Sequence, residues 1–141
     1  SMSMRGIAFH GDNGVVVASK GYIFHTTVAN WDTLSQVFVD PDGDDLRSVA
    51  FVNDSLVYAV GGISAHGVDK IYYSKDGGLT WQADVSPTTE QLERIAFADN
   101  KLWIAGYNGT ILMKEVSEQK PITGLYINEF MASNDSAFAD E

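Results

Sequence analysis

Three segments of this chain open in the same way: Arg5-Gly6-Ile7-Ala8-Phe9, Arg47-Ser48-Val49-Ala50-Phe51 and Glu93-Arg94-Ile95-Ala96-Phe97, with the alanines 42 and 46 residues apart. Each opening is followed by a second short apolar run (Val15 to Ala18, Leu56 to Val60, Leu102 to Ala105) and then by a third containing Ile23, Ile71 or Ile111. Runs of four to six residues rich in Val, Ile, Phe and Tyr, broken by Gly, Asn and Asp pairs, predict β-strands joined by tight turns. Asp12-Asn13-Gly14, Asn53-Asp54 and Asp99-Asn100 are such turns, and no window carries helical apolar spacing for more than two turns. A β-repeat of this length with several strands per unit is the pattern of propeller blades. The expected fold is therefore all-β: a partial β-propeller of about three four-stranded antiparallel blades, over residues 5–40, 46–86 and 92–116.

Blade two reads as inner strand Leu46 to Val52, second strand Leu56 to Gly61, third strand Lys70 to Ser74 and an outer strand from about Trp81. Ser74-Lys75-Asp76-Gly77-Gly78-Leu79-Thr80-Trp81 fits the Asp-box pattern Ser-x-Asp-x-Gly-x-Thr-Trp at every defined position. Its chemistry is that of a turn: the carboxylate can accept backbone N–H groups, the glycines permit positive φ, and the indole packs over the blade. Ser74, Asp76, Gly78, Thr80 and Trp81 are accordingly read as structural.

With this box, the repeated openings and Gly109-Thr110-Ile111-Leu112, the chain resembles sialidase-type (BNR) repeats over about Arg5 to Glu115. It is most similar to photosystem II stability/assembly factor propellers and their non-photosynthetic bacterial relatives. Only blade two keeps the whole box: blade one ends in His25-Thr26-Thr27-Val28-Ala29-Asn30-Trp31, and blade three runs into Lys114-Glu115. A second resemblance begins at Leu125-Tyr126-Ile127-Asn128-Glu129-Phe130, which is similar to the opening of lamin-tail-like domains that follow other modules in bacterial secreted proteins. These resemblances imply an extracytoplasmic parent cut at both ends, with no export signal in this chain. The tail at 121–141 is then expected to supply the missing outer strand of blade three.

Four antiparallel strands per blade put the loops between second and third strands, and those between blades, on one rim, with the Asp box on the other. Loops on a rigid scaffold are where contacts are expected. The candidate binding residues are Arg5, Lys20, Arg47, His66, Asp69, Tyr107 and Asn108, with the long Gly61 to Asp69 insertion foremost. Arg5 and Arg47 align with Glu93, whereas Arg94 aligns with Ser48 and should face the other side of its strand. The arginines are thus read as channel-lining or inter-blade donors, not as a three-arginine anion site. Asp40-Pro41-Asp42-Gly43-Asp44-Asp45 alternates carboxylates as calcium loops do, but the positions of the required Gly and the closing Glu hold Asp45 and Phe51. It reads as a solvated turn between blades, with calcium as the alternative. The Asn53, Asn108 and Asn134 sequons read as turns.

A net charge of −10, from 19 acidic and 9 basic residues, repels phosphate backbones and anionic lipid, so neither nucleic acid nor membrane insertion is expected. Without cysteine there is no disulfide or thiolate chemistry, and His10, His25 and His66 lack ligand spacing, so no cofactor, metal or catalytic set is assigned. The function expected is a non-catalytic binding or assembly scaffold for protein or glycan surfaces. A sialidase-like glycosidase is the competing reading, and it lacks the Arg-Ile-Pro motif that precedes sialidase blades. Three blades cannot close a ring, so a homodimer or the rest of a longer chain is expected to cover the end faces.

Overall fold

The computed structural model describes residues 1–63 and 68–116. They form three antiparallel sheets. The first is β1 (Met4–His10), β2 (Asn13–Ala18), β3 (Tyr22–Thr27) and β4 (Ser35–Val39). The second is β5 (Leu46–Phe51), β6 (Val57–Ile63), β7 (Val68–Ser74) and β8 (Gln82–Ala83). The third is β9 (Leu92–Ala98), β10 (Lys101–Gly106) and β11 (Ile111–Glu115), paired in the order β11-β10-β9. Within each sheet every strand pairs with its neighbour in sequence. The proposed outer strand from Leu125 lies outside the described residues, as does His66.

Register explains why the sheets stack. Ala8, Ala50 and Ala96 sit opposite Val15, Tyr58 and Trp103, and these in turn sit opposite His25, Tyr73 and Met113. Because side chains alternate across a strand, each blade has one face toward the blade before it and one toward the blade after it. One core joins Val15, Val17 and Ile23 of the first sheet to Val49, Phe51, Val57, Ala59 and Tyr72 of the second. The other joins Tyr58, Val60 and Ile71 of the second sheet to Leu92, Ile95, Leu102, Ile104 and Leu112 of the third. Between the inner strands, the Ile95 N–H donates to Ser48 Oγ at 3.1 Å.

The Ser74 to Trp81 turn is closed by its own side chains. Asp76 Oδ1 accepts the N–H groups of Leu79 (3.1 Å) and Thr80 (2.9 Å), and Oδ2 accepts the Thr80 hydroxyl (2.6 Å). Ser74 Oγ accepts the Gly78 N–H (2.9 Å) and donates to Asp76 Oδ1 (2.7 Å). Gly77 and Gly78 take φ of 79° and 104°, which side-chain-bearing residues rarely adopt. Trp81 donates Nε1 to the Gly78 carbonyl at 2.9 Å and is buried in the core between the first two sheets.

Candidate functional site

The β2–β3 and β10–β11 connections are the same structure: short 3-10 turns at Ser19–Gly21 and Tyr107–Gly109, with Lys20 and Asn108 at φ 63° and 58°. These loops meet the chain segments linking the blades, and together they form one rim. The Ser74 to Trp81 turn lies at the other end, where a Cβ on Gly77 would meet the Asn13 side chain and the Asp54 carbonyl beside the β1–β2 and β5–β6 turns.

Asp45 organises the rim. Its Oδ2 lies 2.8 Å from Arg5 Nη2 and 3.6 Å from Arg47 Nη2, and its Oδ1 accepts the Lys20 N–H at 2.9 Å. Its carbonyl accepts the Gly62 N–H at 2.9 Å. The backbone comes this close because residue 61 is glycine: a Cβ there would stand 2.1 Å from the Asp45 oxygen. Arg47 continues the chain of charges, with Nε 3.7 Å from Glu93 Oε2 on blade three. Glu93 also accepts from the Gln91 side chain. Asn108 donates to Glu90 Oε1 at 2.8 Å, and Tyr107 presents an exposed ring while its N–H is held by the Gln91 carbonyl.

The Asp40 to Asp45 segment is not the solvated turn its composition predicts. Asp40 and Asp44 are buried, and the Lys70 ammonium stands 3.2 Å from Asp40, 2.6 Å from Asp42 and 3.9 Å from Asp44. A lysine from β7 thus holds the place that a calcium ion would take. Burial pushes the Asp40 carboxyl up, but the Tyr72 hydroxyl, the Asp44 N–H and Lys70 outweigh it and hold it below its ordinary value. Burial pushes the Lys70 ammonium down, and Asp42 and Asp40 reverse that, so it stays charged. The neighbouring Asp69 carboxyl moves the other way: burial raises it more than the Ser86 hydroxyl lowers it, and its Oδ2 has no hydrogen-bond partner.

The structure therefore brings Arg5, Arg47 and the Lys20 backbone together on Asp45, with Asp69 in blade two and Tyr107 and Asn108 in blade three at the same end of the sheets. Arg94 lies apart, lining a depression on the outer side of blade three. The pairing residues Asp45, Lys70 and Glu93 were missed as a set. Their one sequence signal is Glu93 standing where the other two openings have arginine.

No known family and no curated protein matches the sequence. Solved structures do match. YCF48 from Cyanidioschyzon merolae superposes with a TM-score of 0.60 at 16% identity, over 84% of this chain and 36% of its own. YCF48 bound to D1 peptide gives 0.61 at 19% identity, over 91% and 40%. A protein of unknown function from Bacteroides thetaiotaomicron gives 0.60 at 20% identity, over 84% and 30%. The chain is a partial β-propeller. It spans well under half the length of these three proteins.

Proposed function

We propose that the chain is a non-catalytic propeller scaffold that binds a protein partner through the rim built on Asp45. The observation that carries this reading is that Asp45 holds both Arg5 and Arg47, and Glu93 holds Arg47, on the same rim that exposes the Tyr107 ring and Lys20. An arginine already held by carboxylates loses little freedom when a partner arrives, and arginine and tyrosine are enriched in protein contacts. The similar propeller seen with D1 peptide supports a polypeptide as the class of ligand. The chain's acidity favours a neutral or cationic segment. The Ser74 to Trp81 box serves as a structural clasp on the far rim. The protein is read as extracytoplasmic, and a second copy or further blades cover the end faces.

Glycan binding and glycoside hydrolysis are the readings to be set against this one. Arg5 and Arg47 are engaged by carboxylates and Arg94 faces elsewhere, so no three-arginine clamp for a sugar carboxylate forms among the described residues. Peptide and glycan arrays, with a fluorogenic sialoside assay alongside, test the proposal. Peptide binding that Arg47→Ala and Tyr107→Ala each weaken about tenfold is expected. Binding confined to glycans, or sialoside turnover, overturns it.

A further inference from the structure

The repeat register defines two kinds of blade face. The face toward the following blade carries Val15 and Val17 in blade one, Tyr58 and Val60 in blade two, and Trp103 and Ala105 in blade three. The face toward the preceding blade carries Ile7 and Phe9, then Val49 and Phe51, then Ile95 and Phe97. Inside the chain these faces meet twice, always one of each kind. Where they meet they are dry: Val15 is 0% exposed and Tyr58 1%, and Val49 and Ile95 are each 7%. At the ends the equivalent residues stand open, with Trp103 42% exposed and Ile7 63%. Blade three's open face forms a depression of about 270 Å³ lined by Arg94, Ala96, Trp103, Ala105 and Ile111. Blade one's open face offers Ile7, Phe9 and the Phe24 ring, which is stacked on Tyr22.

The charges on the inner strands follow the same order. Arg5, Arg47 and Glu93 hold equivalent places, and Arg47 pairs with Glu93 across the second junction at 3.7 Å. The next place in the series would set Glu93 against an Arg5. We infer that the open face of blade three receives the open face of blade one from a second copy of this chain, head to tail, and that two copies close a six-bladed ring. Each copy then uses both its faces. Three or four strands about 4.8 Å apart and five residues of about 3.3 Å give a face of roughly 250–300 Å². One such junction is small for a stable complex, whereas two per protomer come near the roughly 600 Å² per partner at the low end of stable interfaces. A heterologous contact that closes on itself also leaves no free end to polymerise. Arg94 is the one departure. It replaces Gly6 and Ser48, whose small size lets inner strands approach, so this junction is wider than the internal two. The inference is independent of what the rim binds.

Light scattering on the purified chain at micromolar concentration should give twice the 15.4 kDa chain mass. Trp103→Asp and Ile7→Asp should each give folded monomers, because both side chains lie on open faces. Mixed one to one, they should associate more weakly than the unsubstituted chain but measurably, at a concentration where each alone is monomeric, through the single junction in which the blade-one face of the first variant and the blade-three face of the second are both intact. Arg94→Ser should tighten self-association several-fold. A monomeric unsubstituted chain overturns the inference, as does a mixture that associates no better than either variant alone. Were Ile7→Asp to remain dimeric while Trp103→Asp does not, two like faces would be meeting and the head-to-tail arrangement would be wrong. Loss of fold in Trp103→Asp, repeated in Ala96→Glu, would mean the chain's own remaining residues cover that face, and would equally overturn it.

Discussion

Blade two and blade three share one repeat and end differently. Blade two is covered on both faces, carries a fourth strand and closes its third turn with a self-satisfied clasp. Among the described residues, blade three is covered on one face only and β11 is the last of its strands. In a stacked array each unit is stabilised mainly by its neighbours. The same residue type should therefore matter greatly on a covered face and little on an open one.

The sharpest test compares adjacent positions of β10. Leu102→Ala or Ile104→Ala removes a fully buried side chain from the core between blades two and three, and should cost about 2–5 kcal/mol. Trp103→Ala, between them but on the open face, should change stability by no more than about 0.5 kcal/mol. Denaturant unfolding at nanomolar concentration, where copies are diluted apart, checks both values. Equal losses would show that the open face is covered within one chain.

The clasp of blade two should come next in size. Asp76→Ala removes the acceptor of four hydrogen bonds, and should cost about 1–2 kcal/mol with ligand affinity unchanged. Unaltered melting with lost binding would instead make Asp76 a contact residue. Its acid behaviour gives an independent measure. Burial pushes the carboxyl up, but the Thr80 hydroxyl and N–H, Ser74 and Leu79 outweigh it and bring it to about 2 from the usual 3.8. The unfolded chain then binds this proton more tightly than the folded one. The stabilisation is complete above the unfolded value and is lost as the pH falls from about 4 through about 2. Asp40, also lowered, adds in the same direction. Melting temperatures followed from pH 6 down to pH 2 should fall less steeply in Asp76→Asn than in the parent.

Asp69 should show the opposite sign. Its carboxyl is raised by burial, so the ionised form weakens the native state once the pH exceeds the raised value. Asp69→Asn should stabilise the chain at pH 7 by about 0.5 kcal/mol, provided the amide finds a partner. A lower melting temperature at pH 7 would show that the charge is compensated. The smallest effect belongs to the rim. Arg5→Ala removes a partly exposed ion pair with Asp45 and should cost under about 1 kcal/mol, whatever it does to binding.

Much of this architecture was legible in the sequence because it is local. Strand periodicity, tight turns and the box at Ser74 to Trp81 each depend on residues within a few places of one another. So does the prediction that Arg94 points away from Arg5 and Arg47, since alternation along a strand fixes it. The aspartate-rich segment was misread for the complementary reason. Its carboxylates are ordinary turn residues by composition, and only the arrival of Lys70 and Tyr72 from β7 makes them a buried ionic cluster.

The sequence by itself determined that the chain is built of repeated antiparallel strands, because strand periodicity and tight turns are local. Tertiary structure alone decided that Asp45 gathers Arg5, Arg47 and Lys20, that Glu93 answers Arg47 across a blade boundary, and that Gly61 admits the Asp45 backbone. Residues such as Arg5 and Asp45 are brought together by the stacking of separate sheets, and the angle and spacing of that stacking follow from the summed packing of two cores that no single segment encodes.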